Sequence, residues 1–209
     1  MKPTPLVLLL AFVALLLCVP ALEDALGRQL VFAIFFSLIV AASLFTGAAR
    51  RLDMIAGGVV GALAVGLAWI SIVKEPPPFG PYPLLVFALF LAITARSLVT
   101  RLLTTGEVGR AEIEISLCVY FIFGYFFAVV FTFLSEVSPG SFSGGADSLS
   151  MSESIYFSFV TLTTLGYGDI TPISPLAQRF AVLEAIVGQI YLVVLVARLV
   201  SMHVARRPR

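Results

Sequence analysis

The chain has 209 residues, is 60% hydrophobic and only 12% charged, and sets 13 Lys and Arg against 12 Asp and Glu for a net charge of +1. A soluble domain of this length cannot hide so much apolar surface, because the buried fraction rises slowly with size, so lipid is its main solvent. The near-neutral balance excludes a nucleic-acid footprint and a polybasic surface protein. Cys18 and Cys118 lie far apart within apolar runs and read as buried small side chains, with neither a disulfide framework nor a metal knuckle.

Crossing a hydrocarbon layer about 30 Å thick takes about 20 mostly apolar residues. Six stretches qualify: 5–22, 29–48, 54–73, 83–103, 112–135 and 176–200. Charges and helix breakers separate them, at Glu23 and Asp24, at 50–53, at 74–83 and at 104–110. Lys2 ahead of the first run resembles the start of a signal peptide, but the run is long and the basic region weak, so this segment is expected to remain as a span. With the N-terminus inside, the inner face collects Lys2, Arg50, Arg51, Arg96, Arg101, Arg110, Arg198, Arg206, Arg207 and Arg209, and the outer face only Arg28, Lys74 and Arg179. Cytoplasmic loops carry such an excess, so both termini are expected in the cytoplasm.

Gly57 and Gly61 in the third span have the small-xxx-small spacing that lets helix backbones approach. The five prolines within 75–83 predict a stiff outer elbow, and the Ser- and Gly-rich stretch 138–150 a mobile outer turret. Between the fifth and sixth spans, residues 150–172 are too short and too polar to cross, so they must re-enter. Ser150 with Glu153 forms a capping-box signature, which predicts a short helix from Met151 to about Thr163. Non-helical backbone at membrane depth is tolerated only where it is buried in protein or lines a water-filled path. Gly166 and Gly168 permit the positive φ values that turn successive carbonyls toward one axis, as a row of oxygens replacing a cation's water shell requires. One chain supplies one such row, and a ring requires several copies, most simply four.

Residues 164–169, Thr-Leu-Gly-Tyr-Gly-Asp, between two flanking spans resemble the filter of tetrameric potassium channels. The resemblance is specific over roughly 111–203 and weaker before it. It implies that the carbonyls of Thr164, Leu165, Gly166 and Tyr167, with the Thr164 hydroxyl, hold K+ and that Gly168 completes the filter. It also implies that Tyr167 points away from the axis and that Asp169 sits at the outer mouth, where Tyr156 is placed to bond it and Val160 is not. Leu165 stands where Val is more usual, a departure that touches packing and leaves the carbonyl in place. Thr163, Gln189, Leu192 and Val196 are expected to face the cavity below, and Gly188 corresponds to the hinge glycine of the inner helix. The C-terminal end of the short helix presents the negative end of its dipole to that cavity.

Glu184 lies one turn before Gly188, and an ionisable group inside the membrane is a functional candidate by default. Two readings stay open: a hydrogen-bonded carboxyl holding the last span to the short helix, and a pH-sensitive latch. The fourth span offers only Arg96 and Arg101, on different helix faces, with Asp53 as a neighbour at the same membrane face. Moving one charge through 100 mV is worth about 2.3 kcal/mol, and steep gating takes three or four charges per subunit. Weak voltage dependence is therefore expected. Few residues follow Ser201, so gating by a cytoplasmic nucleotide or calcium is expected to need a separate regulatory subunit, with His203 a solvated interfacial residue.

These readings combine into an all-α membrane protein with six transmembrane helices, a re-entrant pore helix and a selectivity filter. It divides into a four-helix membrane domain (1–105) in a voltage-sensor-like position and a pore domain (111–203) that assembles as a homotetramer in lipid. K+ is the permeant ion; no cofactor, nucleic acid or enzymatic chemistry is expected, since no His, Cys or carboxylate cluster has a usable spacing. The alternatives are a potassium-transporter subunit, whose four filter repeats with one key glycine each differ from the single two-glycine repeat here, and a non-conducting scaffold that modulates related channels.

Overall fold

A computed structural model describes residues 5–46, 51–73, 79–104, 109–144 and 148–205. The elements in order are α1 (Leu6–Leu26), α2 (Arg28–Thr46), α3 (Arg51–Val73), α4 (Tyr82–Thr104), α5 (Arg110–Val137), β1 (Phe142–Ser143), α6 (Met151–Leu162), β2 (Thr171–Pro172) and α7 (Pro175–Ala205). The fold is all-α apart from the two-residue strand pair. Among the described residues α3, α4, α5 and α7 are long and apolar enough to cross a membrane, while α1 and α2 contribute the shorter apolar stretches Leu6–Cys18 and Leu30–Leu44.

The helix boundaries follow local chemistry. Gly27, at φ 83°, separates α1 from α2 in the left-handed conformation that ends helices at little cost to glycine. Pro83 occupies the first turn of α4, where its missing N–H has no helical partner to lose. Asp53 lies in the first turn of α3, at the positive end of the helix dipole. Residues 47–50, 74–78, 105–108 and 145–147, which include Arg50, Lys74 and part of the expected elbow and turret, lie outside the described residues, as do 1–4 and 206–209. The His203 side chain lies outside them too.

Helices α1 to α4 pack in sequence, each on the next, α4 packs on α5, and α5 packs back on α1. The first four helices therefore close into a ring only with α5 as its fifth member. One apolar cluster runs through the ring and on to α6, with Phe12, Phe90, Ile115 and Ile122 fully buried. The Tyr125 phenol donates to the Phe12 carbonyl at 2.7 Å, stitching α5 to α1. The expected division between 1–105 and 111–203 thus falls across continuous packing. Lipid is as apolar as Leu, so this packing is held by close van der Waals contact and buried hydrogen bonds more than by exclusion of water. Of the two glycines in α3 with that spacing, Gly61 carries the closer approach: a Cβ there would lie 2.8 Å from Val40 Cγ1, whereas one on Gly57 would meet Ile93 Cγ2 at an ordinary 3.8 Å.

Two expectations need correction. Cys118 is buried, but Cys18 is exposed on α1, because the α1 face that packs on α5 is carried by Leu8, Phe12 and Leu15. The outer turret is anchored over 138–144: Phe142 is buried against Phe131 and Phe157, and β1 pairs with β2 just after residues 164–169. An aromatic side chain within a Ser- and Gly-rich stretch outweighs the flexibility of its neighbours once an apolar seat exists for it.

Candidate functional site

Helix α6 starts where the capping box predicts, with the Glu153 N–H donating to Ser150 Oγ at 3.2 Å and the Ser150 N–H donating to Glu153 Oε2 at 2.7 Å. Its 12 residues span about 18 Å, too little for a layer of about 30 Å. It seats against α5, where Gly124 leaves room for the Phe159 ring; a Cβ on Gly124 would lie 2.6 Å from Phe159 Cζ. Phe157 packs edge-on to Phe131 of α5 and to Phe142.

At the C-terminal end of α6 the following segment folds back onto the helix. The amides of Thr164 and Leu165 donate to the carbonyls of Thr161 and Val160 at 2.9 Å each, and the Gly166 amide also reaches the Val160 carbonyl at 3.3 Å. Thr164, Gly166 and Gly168 have φ of 60°, 59° and 81°, while Leu165 and Tyr167 between them do not enter the positive region. This alternation orients successive peptide units alike. Glycine accepts positive φ freely; for the β-branched Thr164 it is strained, on the order of 1–3 kcal/mol, and tolerated only where surroundings enforce it. The Thr164 hydroxyl donates to the Thr163 carbonyl at 2.6 Å, which leaves its lone pairs free. Among the described residues no donor is bonded to the carbonyls of Thr164, Leu165, Gly166 or Tyr167. The amides of Thr164, Leu165 and Gly166 are satisfied by α6, and the carbonyl oxygens of Thr164, Leu165, Gly166 and Tyr167 are left over, all on exposed residues. Such a strand has acceptors to offer.

The outer end is braced twice. The Tyr156 phenol donates to Asp169 Oδ2 at 2.7 Å, and the rings of Tyr156 and Tyr167 stack with centroids 6.4 Å apart. That phenol, helped by the Ile170 amide and its own, holds the Asp169 carboxyl below the ordinary carboxylate range. The second brace comes from the turret: the Ser141 carbonyl accepts from the amides of Ile173 at 2.8 Å and Ser174 at 3.2 Å. Gly144, at φ 88°, faces the Asp169 carbonyl so closely that a Cβ would lie 1.9 Å from its oxygen. Sequence reasoning missed Ser141, Phe142 and Gly144, for which an aromatic residue between serines and glycines was the only signal.

Below the segment, α7 approaches α6 along a narrow stripe of buried residues that includes Glu184 and Gly188, while Val182, Ile186, Ile190, Val193 and Val196 are exposed. A Cβ on Gly188 would lie 2.7 Å from Leu162 Cδ1 and 3.0 Å from the Leu162 carbonyl, so this glycine carries a close approach to the end of α6. The Tyr120 phenol donates to the same carbonyl at 3.3 Å, a contact the sequence did not reveal. Glu184 is fully buried and bonded through Oε1 to Ser158, whose hydroxyl also reaches the Gly124 carbonyl at 2.6 Å. Thr163, the C-cap of α6, Gln189 and Val196 are exposed, and Leu192 is half-buried. Among the described residues no cluster of three or more His, Cys, Asp or Glu comes together, so the oxygens on offer to a cation here belong to the backbone.

Residues 115–205 match a family model described as an ion channel. The chain is 38% identical over 64 residues to a two pore potassium channel of Oryza sativa subsp. japonica, covering 30% of this chain and 14% of that one. It is 44% identical over 64 residues to protein LctB of Bacillus caldotenax, covering 30% of this chain and 47% of the relative. Against protein LctB of Geobacillus stearothermophilus the identity is 40% over 63 residues, 30% of this chain and 46% of the relative. The chain thus spans about half the length of the two bacterial relatives, and much less of the plant one. No solved structure matches. With the apolar helices, these matches support a multi-pass membrane protein, and the resemblance to the potassium-channel family holds.

Proposed function

We propose, from the resemblance of this chain to the potassium-channel family, that it conducts K+ passively and selectively through residues 164–168 of four copies arranged around an axis. The observation that carries this is the donor–acceptor asymmetry of the segment: the amides of Thr164, Leu165 and Gly166 are bonded to α6 and the carbonyls of Thr164, Leu165, Gly166 and Tyr167 are left without donors. Rings of such oxygens replace the water shell of a dehydrated cation and allow hopping between adjacent sites. The exposure of these residues and of one broad apolar face of α7 supports the homotetramer, since non-helical backbone at membrane depth needs protein or a water path around it. Six spans with both termini cytoplasmic fit the charge distribution. Thr163, Gln189, Leu192 and Val196 would then face the cavity, and the dipole of α6 would favour a cation there.

Gating is assigned to the contact between α6 and α7. The Ser158 hydroxyl has one proton and two acceptors, so a neutral Glu184 carboxyl donating to Ser158, which in turn donates to the Gly124 carbonyl, satisfies both contacts. This chain ties α7 to α6 and α5 just above Gly188. Purified protein in liposomes tests the conducting function: K+ flux well above Na+ flux is expected from this chain alone, and equal flux of both, or none, would refute it.

A further inference from the structure

At the N-terminal end of α3, between α2, α3 and α4, lies a cavity of about 30 Å³ whose polar wall is made by Ser43, Asp53, Thr94 and Ser97. It is far in sequence from residues 164–169 and is not part of that site. The Asp53 side chain is only 2% exposed, and its Oδ1 pairs with Arg96. Its Oδ2 is buried without a hydrogen-bond partner among the described residues. A carboxylate oxygen left that way is costly unless something supplies positive charge or a proton donor.

Ser43 and Thr94 supply no donor to it. Ser43 donates its proton to the Val40 carbonyl at 2.8 Å and Thr94 donates to the Phe90 carbonyl at 2.9 Å, so each offers the cavity only lone pairs. Ser43, Asp53 and Thr94, from three helices, therefore bring acceptor oxygens to the walls of one small space, which Ser97 lines as well beside apolar groups such as Leu44 and Ile93. A water molecule brings two protons and turns its own lone pairs on the remaining oxygens; a cation is complementary to all of them. At about 10–15 Å³ for each water-sized body, the volume takes one ion and one water. A single carboxylate already paired with Arg96 cannot balance a divalent ion, and Mg²⁺ retains several waters that do not fit. The Arg96 side chain is 58% exposed and bonds Oδ1, so Oδ2 is the carboxylate oxygen left to the cavity.

We propose that this cavity binds one small monovalent cation, sodium, through Asp53 Oδ2, Ser43 Oγ and Thr94 Oγ1, and that it ties α2, α3 and α4 together. The test is thermal unfolding of the full-length protein at constant K+ and constant ionic strength, with N-methyl-D-glucamine exchanged stepwise for Na+. A saturable rise of about 4 °C is expected by ten times the dissociation constant. Sodium displacing K+ from the pore would instead lower the transition. Thr94→Val and Ser43→Ala, which keep the Asp53–Arg96 pair, are each expected to raise the sodium midpoint at least about ten-fold, and either alone decides if the other fails to fold. A parent protein indifferent to sodium, meaning a cavity holding water only, overturns the proposal. So does a midpoint unchanged in the folded variants.

Discussion

Asp169 and Tyr156 face each other at the end of the segment 164–169, and their hydrogen bond sets a pH dependence with a definite sign. The phenol favours the ionised carboxylate, so the folded-state pKa is depressed. The stabilising contribution is complete above the ordinary carboxylate range and is lost as pH falls through the lowered value. Tyr156→Phe removes the first cause of the shift, and the acid-induced loss of current should move up toward the ordinary value of about 3.9. Recordings at stepped outer pH check this, along with faster inactivation; a variant that conducts, inactivates and titrates like the parent contradicts the brace. Gly144 gives a sharper prediction. Alanine there needs a positive φ and a Cβ 1.9 Å from the Asp169 carbonyl oxygen, both in backbone that has no flexible end to yield. K+ current from Gly144→Ala should fall at least about ten-fold, and liposome flux measures it.

At the scale of elements, the tie between α6 and α7 separates two roles of one carboxyl. Gln at position 184 keeps a donor for Ser158 and cannot titrate, so Glu184→Gln should fold normally and lose the part of the current's pH response that does not come from Asp169. Ser158→Ala leaves the buried Glu184 carboxyl without its partner and should cost about 1–3 kcal/mol of stability, read by thermal unfolding. Currents of Glu184→Gln with the full parental pH response would leave the tie purely structural. Helix α6 itself was legible in advance because its start is written in two residues, Ser150 and Glu153, and its end in the glycines that follow. Its surroundings were not. That Gly124 makes room for Phe159, that Tyr120 reaches the Leu162 carbonyl, and that Phe142 pins the turret depend on which helices meet, and hydrophobic periodicity in a lipid-embedded chain carries little of that information. Gly188 illustrates the limit: its position suggested a hinge, and only the fold reveals the close approach of Leu162.

For the whole molecule, the ring of α1 to α5 makes the first four helices part of the packing that carries α6. Arg96 is bound to Asp53 and Arg101 donates to the Thr46 carbonyl at 2.7 Å, so both fourth-span arginines are engaged with neighbouring helices. Two such groups cannot supply the three or four mobile charges that steep gating takes, and the conductance–voltage relation should be shallow in the parent. A steep relation abolished by Arg96→Gln contradicts that reading. The succession of apolar helices was visible in composition because charge and proline interrupt the apolar runs, but the closure of the ring on α5 was not, since no residue type marks which lipid-facing helix is neighbour to which. The central claim concerns ions and backbone oxygens. Anomalous diffraction from crystals grown in a heavier K+ analogue such as Rb+ tests it most directly: a row of densities on a four-fold axis beside the carbonyls of Thr164, Leu165, Gly166 and Tyr167 is the predicted result, and an assembly without that axis, or an axis without ions beside those oxygens, would contradict it.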